Sequence, residues 1–272
     1  VSLKEDINFS LWCDFIERDF LENRFQEILE DGTIHGATSN PAIFESSIST
    51  SLAYKQQLDM LQANNAKTIY EELAITDIKR AATLMDSLHK ENLDDGFISI
   101  EVDPLLCDDA AGTIEEGIRL HNTIGVDNVM IKIPATQAGY IAMRELTSKG
   151  IHVNATLIFS PQQAINCAKA LNEGIKESNK NIKAVISIFV SRFDRLCDSD
   201  FASKGLEKFK LGIMNATKCY HEINRFENAN IRTLFASTGV KGDELAPSYY
   251  VDNLIYPNSV NTAPLGTIEE WV

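Results

Sequence analysis

The sequence predicts a single (β/α)8 barrel domain over residues 1–272, and three observations carry that expectation. Short apolar or β-branched runs alternate with longer amphipathic stretches along the whole chain, the pattern of repeated βα units. Eight such runs fall within about 250 residues, the size of one α/β barrel. No G-x-G-x-x-G follows the first run, which disfavours a doubly wound dinucleotide-binding sheet.

In order, the runs are Ser10–Asp14, Ile34–Asn40, Ile98–Asp103, Val129–Pro134, His152–Phe159, Ala184–Val190, Ile231–Ser237 and Asn253–Tyr256. The first and last rest on the alternation more than on propensity. Helices are expected between them, at Ile69–Lys90 and Ala110–Asn122. Another is expected at Ser160–Glu173, where Ser160 is placed to cap and Pro161 to open the first turn. Thr267-Ile268-Glu269-Glu270 has capping-box form, so a helix is expected to start there and to continue past Val272 in a segment this sequence does not contain. No Pro/Gly/Ser-rich linker, low-complexity tract or repeat divides the chain.

Composition narrows the function. The net charge of −14, with no basic stripe to offset it, excludes a nucleic-acid partner. No apolar run is long enough to span a membrane, and the N-terminus lacks a secretory pattern, so a cytoplasmic protein without a membrane partner is expected. The chain opens at Val1 rather than Met, and the first residues of the gene product can lie outside it. Five scattered cysteines form no C-x-x-C pair and read as reduced thiols, and the five histidines show no metal-ligand spacing.

Side chains two apart on a strand share a face, and in a barrel one face meets the helices while the other fills the interior. In the third run Ile98, Ile100 and Val102 oppose Ser99, Glu101 and Asp103; in the fourth, Lys132 opposes Val129, Ile131 and Ile133. Asn154 and Thr156 oppose Val153, Ala155 and Leu157, while Ser187 and Phe189 oppose Ile186, Ile188 and Val190. Thr38 and Asn40 fall together, and Asp14 follows Trp12. Burying so many polar groups is costly unless they are used, and strand C-terminal ends are where barrel enzymes place their chemistry.

Lys132 is the centre of this ring. It is either a structural lysine paired with a carboxylate or a reactive amine, because a desolvated lysine gives up its proton more readily and can attack a carbonyl. Asp14 and Glu101 would either shuttle protons for it or neutralise it. Asn40, Asn154 and Ser187 suit substrate hydroxyls, or else a self-satisfied network. Arg192 beyond the sixth run, and Ser237 to Lys241 beyond the seventh, suit a phosphate, or else Arg192 and Lys241 are solvated loop charges.

Five segments together resemble the motifs of transaldolase, in order and at family-like spacing. They are Ala37-Thr38-Ser39-Asn40-Pro41, Ser99 to Asp103, Ile131-Lys132-Ile133-Pro134-Ala135-Thr136, Val153 to Ser160, and Ile186 to Arg192. That resemblance implies a Schiff base on Lys132, acid/base work by Asp14, and a proton-relaying water held by Glu101 and Thr156. It further implies that Thr38, Asn40, Asn154, Ser187 and Phe189 line a sugar site and that Arg192 and Ser237 bind a phosphate. The substrates implied are sugar phosphates, with no metal or organic cofactor, in a monomer or homodimer. The sequence departs from the pattern where Thr238 and Gly239 follow Ala236-Ser237, in place of a second phosphate-binding arginine. Lys241 is the nearest substitute. The family also has a longer C-terminus that helps cover the site. Two rival readings remain: a fructose 6-phosphate aldolase-like lyase, whose family places a tyrosine where this chain has Phe189, and a non-catalytic sugar-phosphate-binding barrel.

Overall fold

The computed structural model describes residues 2–271 as eight parallel strands in a nearly closed barrel with helices between them. The strands are β1 (Ser10–Cys13), β2 (Gly36–Ala37), β3 (Ile98–Glu101), β4 (Val129–Pro134), β5 (His152–Ile158), β6 (Ala184–Phe189), β7 (Ile231–Ala236) and β8 (Ser259–Ala263). They hydrogen-bond in the order β2-β1-β8-β7-β6-β5-β4-β3, and a parallel bridge between Gly36 and Phe97 draws the two ends together. Across that seam Gly96 N donates to His35 O at 2.7 Å and Ala37 N to Phe97 O at 2.8 Å. Gly36 is required there: a Cβ would stand 2.6 Å from the Trp12 indole nitrogen.

Seven of the expected runs contain strands, and the eighth is displaced. Asn253–Tyr256 turns away after the short helix Tyr249–Asp252, and the strand that pairs with β1 and β7 is Ser259–Ala263. The expected helix over Ile69–Lys90 starts at Ala66, capped by Asn65, and breaks at Met85 into Ala66–Leu84 and Asp86–Glu91. Ala110–Ile124 ends where Gly125 takes a left-handed conformation, φ 67°. Pro161–Glu177 opens as expected, with Ser160 Oγ accepting from Gln163 N at 3.2 Å. The capping box at Thr267 does not form. The last helix, Leu265–Trp271, begins two residues earlier after Pro264, and Thr267 N donates to Pro264 O within its first turn. Among the described residues no helix is long and apolar enough to cross a membrane.

The outward strand faces, including Ile98, Ile100, Ile131, Ile133, Val153, Ile186 and Ile188, join the helices in one large apolar core. The interior is layered. Around its middle runs an apolar belt of Trp12, Phe97, Met130, Val185, Leu234 and Val260. Beneath the belt, Arg232 is 3% exposed and donates to Asn8 O, Ser10 Oγ, Asp94 O and Ser259 O, while Asp95 accepts from Ser10 and pairs with Lys4 at 2.6 Å. The polar ring that strand parity predicts is therefore confined to the two ends and interrupted by packed side chains.

His152 lies at the lower end of β5, its ring edge-on to Phe97 with centroids 5.0 Å apart and its Nδ1 accepting from Lys183 N at 2.9 Å. Burial pushes its imidazole down from 6.5 to about 4. Because the folded protein resists protonating this group while the unfolded chain does not, its contribution is full above pH 6.5 and is lost as pH falls towards 4. Urea denaturation over that window is expected to show a loss on the order of 2–3 kcal/mol, with a flatter profile in His152→Gln.

Candidate active site

The polar upper layer is built by register. Glu101, Lys132 and Asn154 are direct neighbours on β3, β4 and β5, so their side chains enter the interior at one level. Together with Asp14, Thr38, Asn40, Thr156, Ser187, Phe189, Arg192 and Ser237, Glu101 and Lys132 line a cavity of about 370 Å³ at the strands' C-terminal ends. The floor is the belt residue Leu234, and Pro41, Ala42, Leu157, Ala236 and Thr262 complete the wall.

Lys132 is 8% exposed, and its Nζ donates to the backbone carbonyl of Ser39 at 3.0 Å. The nearest carboxylate oxygen of Glu101 is 3.9 Å away, close enough for attraction and too far for a tight hydrogen bond. Desolvation raises the Glu101 carboxyl above the usual carboxylate range, with the Lys132 charge opposing it. Asp14 is raised in the same way, first by desolvation and then held back by Lys132. Two carboxyl groups drawn towards neutrality beside one amine can give and take protons nearer neutral pH than ordinary carboxylates do.

Asn154 does not face the cavity directly. Its carboxamide accepts from Ser187 Oγ at 2.7 Å and donates to Ser99 Oγ at 3.0 Å, which fixes the Ser187 hydroxyl from behind. Asn40 caps the helix Pro41–Thr50, accepting from Ile43 N at 3.0 Å, so one side of its amide is committed to the fold. Thr38 is buried at the cavity wall, and among the described residues its hydroxyl has no hydrogen-bond partner. Arg192, exposed in the first turn of the helix Ser191–Ser203, lays its guanidinium 4.8 Å from the Phe189 ring centroid, and Phe159 meets the same ring edge-on at 5.1 Å.

Lys241 is not brought to this cavity. Ser237 turns the chain with φ 55°, and the Thr238 hydroxyl is tied to Thr262 O. The loop then carries Lys241 to a larger neighbouring cavity of about 820 Å³, lined also by Arg195, Asp198 and Lys208. That space contains none of the Lys132, Asp14 and Glu101 set, so volume does not single out the cavity that holds them. Asp103 also stands apart, capping the turn Pro104–Leu106 and pairing with Lys67. Among the described residues no group of three or more His, Cys, Asp or Glu side chains is arranged to hold a metal.

The family profile described as Transaldolase/Fructose-6-phosphate aldolase matches residues 11–272. The chain is 51% identical over 275 residues to a protein of Campylobacter jejuni strain RM1221 named Transaldolase, covering 97% of this chain and 83% of that one. It is 47% identical over 264 residues to a Helicobacter pylori (strain ATCC 700392 / 26695) protein of the same name, covering 97% and 81%. The chain belongs to the transaldolase/fructose-6-phosphate aldolase family.

Several wall residues of this family member escape a reading of the sequence. Leu157 belongs by parity to the outward face and reaches the cavity through a β-bulge; nothing in the sequence announces it. Thr262 lies on the displaced eighth strand, and the alternation of Val260 and Thr262 against Ala263 was the available signal. The Ser39 carbonyl that receives Lys132 is a backbone group and leaves no mark on residue type.

Since the lysine charge opposes both upward shifts, removing it should release them. Lys132→Met is expected to raise the Asp14 and Glu101 carboxyls further, by about one unit or more, in a carbon-13 NMR titration of the side-chain carboxyls. An unchanged pair would mean that Lys132 does not act on them electrostatically.

Proposed function

We propose that the protein is a transaldolase that carries a dihydroxyacetone unit between sugar phosphates as a Schiff base on Lys132. The observation that carries this reading is one amine, buried and 3.9 Å from a carboxylate, in a cavity whose two carboxyl groups are both drawn towards neutrality. The relatives that share about half of its residues bear the same name.

In this reading the neutral Lys132 amine adds to C2 of a ketose phosphate such as fructose 6-phosphate or sedoheptulose 7-phosphate. Loss of water gives the iminium ion. Glu101 and Thr156 hold the water that moves protons through this step and its reversal. Asp14 takes the proton from the C4 hydroxyl as the C3–C4 bond breaks, and its raised carboxyl suits that exchange. The aldose phosphate departs, the electron pair is held as an enamine on nitrogen, and addition to glyceraldehyde 3-phosphate or erythrose 4-phosphate runs the same steps backwards. Asn40 and Ser187 hold the unit's hydroxyls, with Asn154 acting on Ser187 from behind. The Thr38 hydroxyl, unpartnered in the wall, has its hydrogen bond free for substrate.

Arg192 and Ser237 receive the phosphate in this reading. Phe189 serves twice, closing the apolar side of the cavity and supporting the Arg192 guanidinium by cation–π contact. Lys241 lines the neighbouring cavity, and this reading leaves it out of the phosphate set. The chemistry calls for no metal or organic cofactor, since lysine supplies the electron sink.

Incubation with fructose 6-phosphate followed by borohydride is expected to leave a reduced three-carbon adduct on Lys132, located by peptide mass mapping and missing in Lys132→Ala. Folded protein that yields no adduct would refute the Schiff base. Replacing Arg192 with Ala is expected to raise KM for phosphorylated donors about 10- to 100-fold while kcat changes little, since the contact is far from the bond being cleaved. A fall in kcat with unchanged KM would place Arg192 elsewhere in the reaction.

A further inference from the structure

β5 leaves its ladder with β6 between Ala155, opposite Ile186, and Ile158, opposite Ile188. Thr156 and Leu157 therefore face the single residue Ser187, the two-against-one count of a β-bulge. Regular alternation would send Leu157 outward to the helices. Instead it lines the cavity beside Thr156.

The backbone shows the cost of this arrangement. Leu157 has φ 59°, a left-handed conformation that branched side chains rarely adopt and that glycine would hold without strain. Its side chain is 38% exposed, so it is not spent on the core. A bulky apolar residue, strained and open to the cavity, needs an explanation other than packing.

Resting on the Lys132 Schiff-base reading, we propose that Leu157 is a specificity-determining residue that keeps water from the enamine. The three-carbon unit then leaves on an aldose rather than as free dihydroxyacetone. The competing route needs only a proton and water. The enamine carbon takes the proton to give the iminium ion, water adds to the iminium carbon, and the C–N bond breaks. Dihydroxyacetone departs with the water oxygen, and Lys132 retains the proton as an ammonium. On the opposite wall Asp14, Thr38, Asn40 and Glu101 are polar and attract water. On the β5–β6 side Leu157 and Phe189 present large apolar groups on adjacent strands, and an apolar surface there raises the cost of placing a proton-donating water at the enamine carbon, the step that release needs and transfer does not.

The test compares wild type with Leu157→Gly, Leu157→Asn and Leu157→Met. Each is assayed for transfer from fructose 6-phosphate to glyceraldehyde 3-phosphate, for dihydroxyacetone released without acceptor, and for the borohydride adduct. Gly and Asn tolerate the left-handed backbone and remove the apolar wall, so both are expected to fold and to raise the release-to-transfer ratio about tenfold or more, a change of about 1.4 kcal/mol in relative barriers. Leu157→Met rebuilds an apolar wall and is expected to return the ratio close to wild type. A Lys132-dependent adduct with an unchanged ratio in the Gly and Asn variants overturns the inference and leaves the Schiff-base reading standing. So does a Met variant as leaky as the Gly variant. Loss of the fold in both Gly and Asn variants makes Leu157 structural and also overturns it. Absence of the adduct in wild type removes the Schiff-base reading and this inference together.

Discussion

A lysine amine and two carboxyl groups share a small cavity in which burial has replaced much of their water, and the barrel is organised around that constraint. Unaided, such groups would be expensive to bury. The structure solves this only in part. Lys132 receives one backbone carbonyl, from Ser39, and stands off from Glu101 at 3.9 Å instead of closing a tight ion pair. Glu101 and Asp14 are stabilised by the lysine charge yet remain displaced upward by desolvation. A structural ion pair would have closed that distance; the arrangement seen leaves the Asp14 and Glu101 carboxyls raised by desolvation.

The apolar belt makes this possible. Trp12, Phe97, Met130, Val185, Leu234 and Val260 pack together across the interior beneath the site and give it an apolar floor. Packing at the belt is tight enough that β2 must carry Gly36 where Trp12 passes. The same belt separates the upper charges from the lower network around Arg232, where an arginine buried to 3% exposure is met by carbonyls and by Asp95. The two ends thus illustrate opposite uses of buried charge. Below, the donors of Arg232 are largely spent on the fold; above, Thr38 and Lys132 keep bonding capacity in hand.

Much of this was legible in sequence because strand parity is a strict code. Once β3 to β6 were placed, alternation alone put Glu101, Lys132, Asn154, Thr156, Ser187 and Phe189 on one face, and pairing set Glu101, Lys132 and Asn154 at one level. The code fails where the strand is short, polar or irregular. β8 reads Ser-Val-Asn-Thr-Ala and has little β-propensity, so the more apolar Asn253–Tyr256 drew the assignment. The box at Thr267 has the right residue types, but Pro264 begins the helix earlier and the box falls inside it. The Arg232 network joins residues from four distant segments, and no spacing along the chain encodes it.

Where the chain leaves its strands matters as much as where it enters them. β6 supplies Ser187 and Phe189 and leads directly into the helix that carries Arg192. It is flanked by two strands that end in left-handed residues, Leu157 near the end of β5 and Ser237 just past β7. Neither is glycine, so each turn is held against a local conformational preference. Their effects are opposite. At Ser237 the turn diverts the following loop, so that Lys241 goes to the neighbouring cavity while Ser237 itself stays within 3.3 Å of the Ser191 hydroxyl at the helix start. At Leu157 the turn brings an extra side chain inward. One strand is thereby given a polar neighbour on the side of Arg192's helix and an apolar one on the side of Lys132's strand. On the Schiff-base reading, that asymmetry suits a phosphate held at one end and an enamine carbon sheltered at the other.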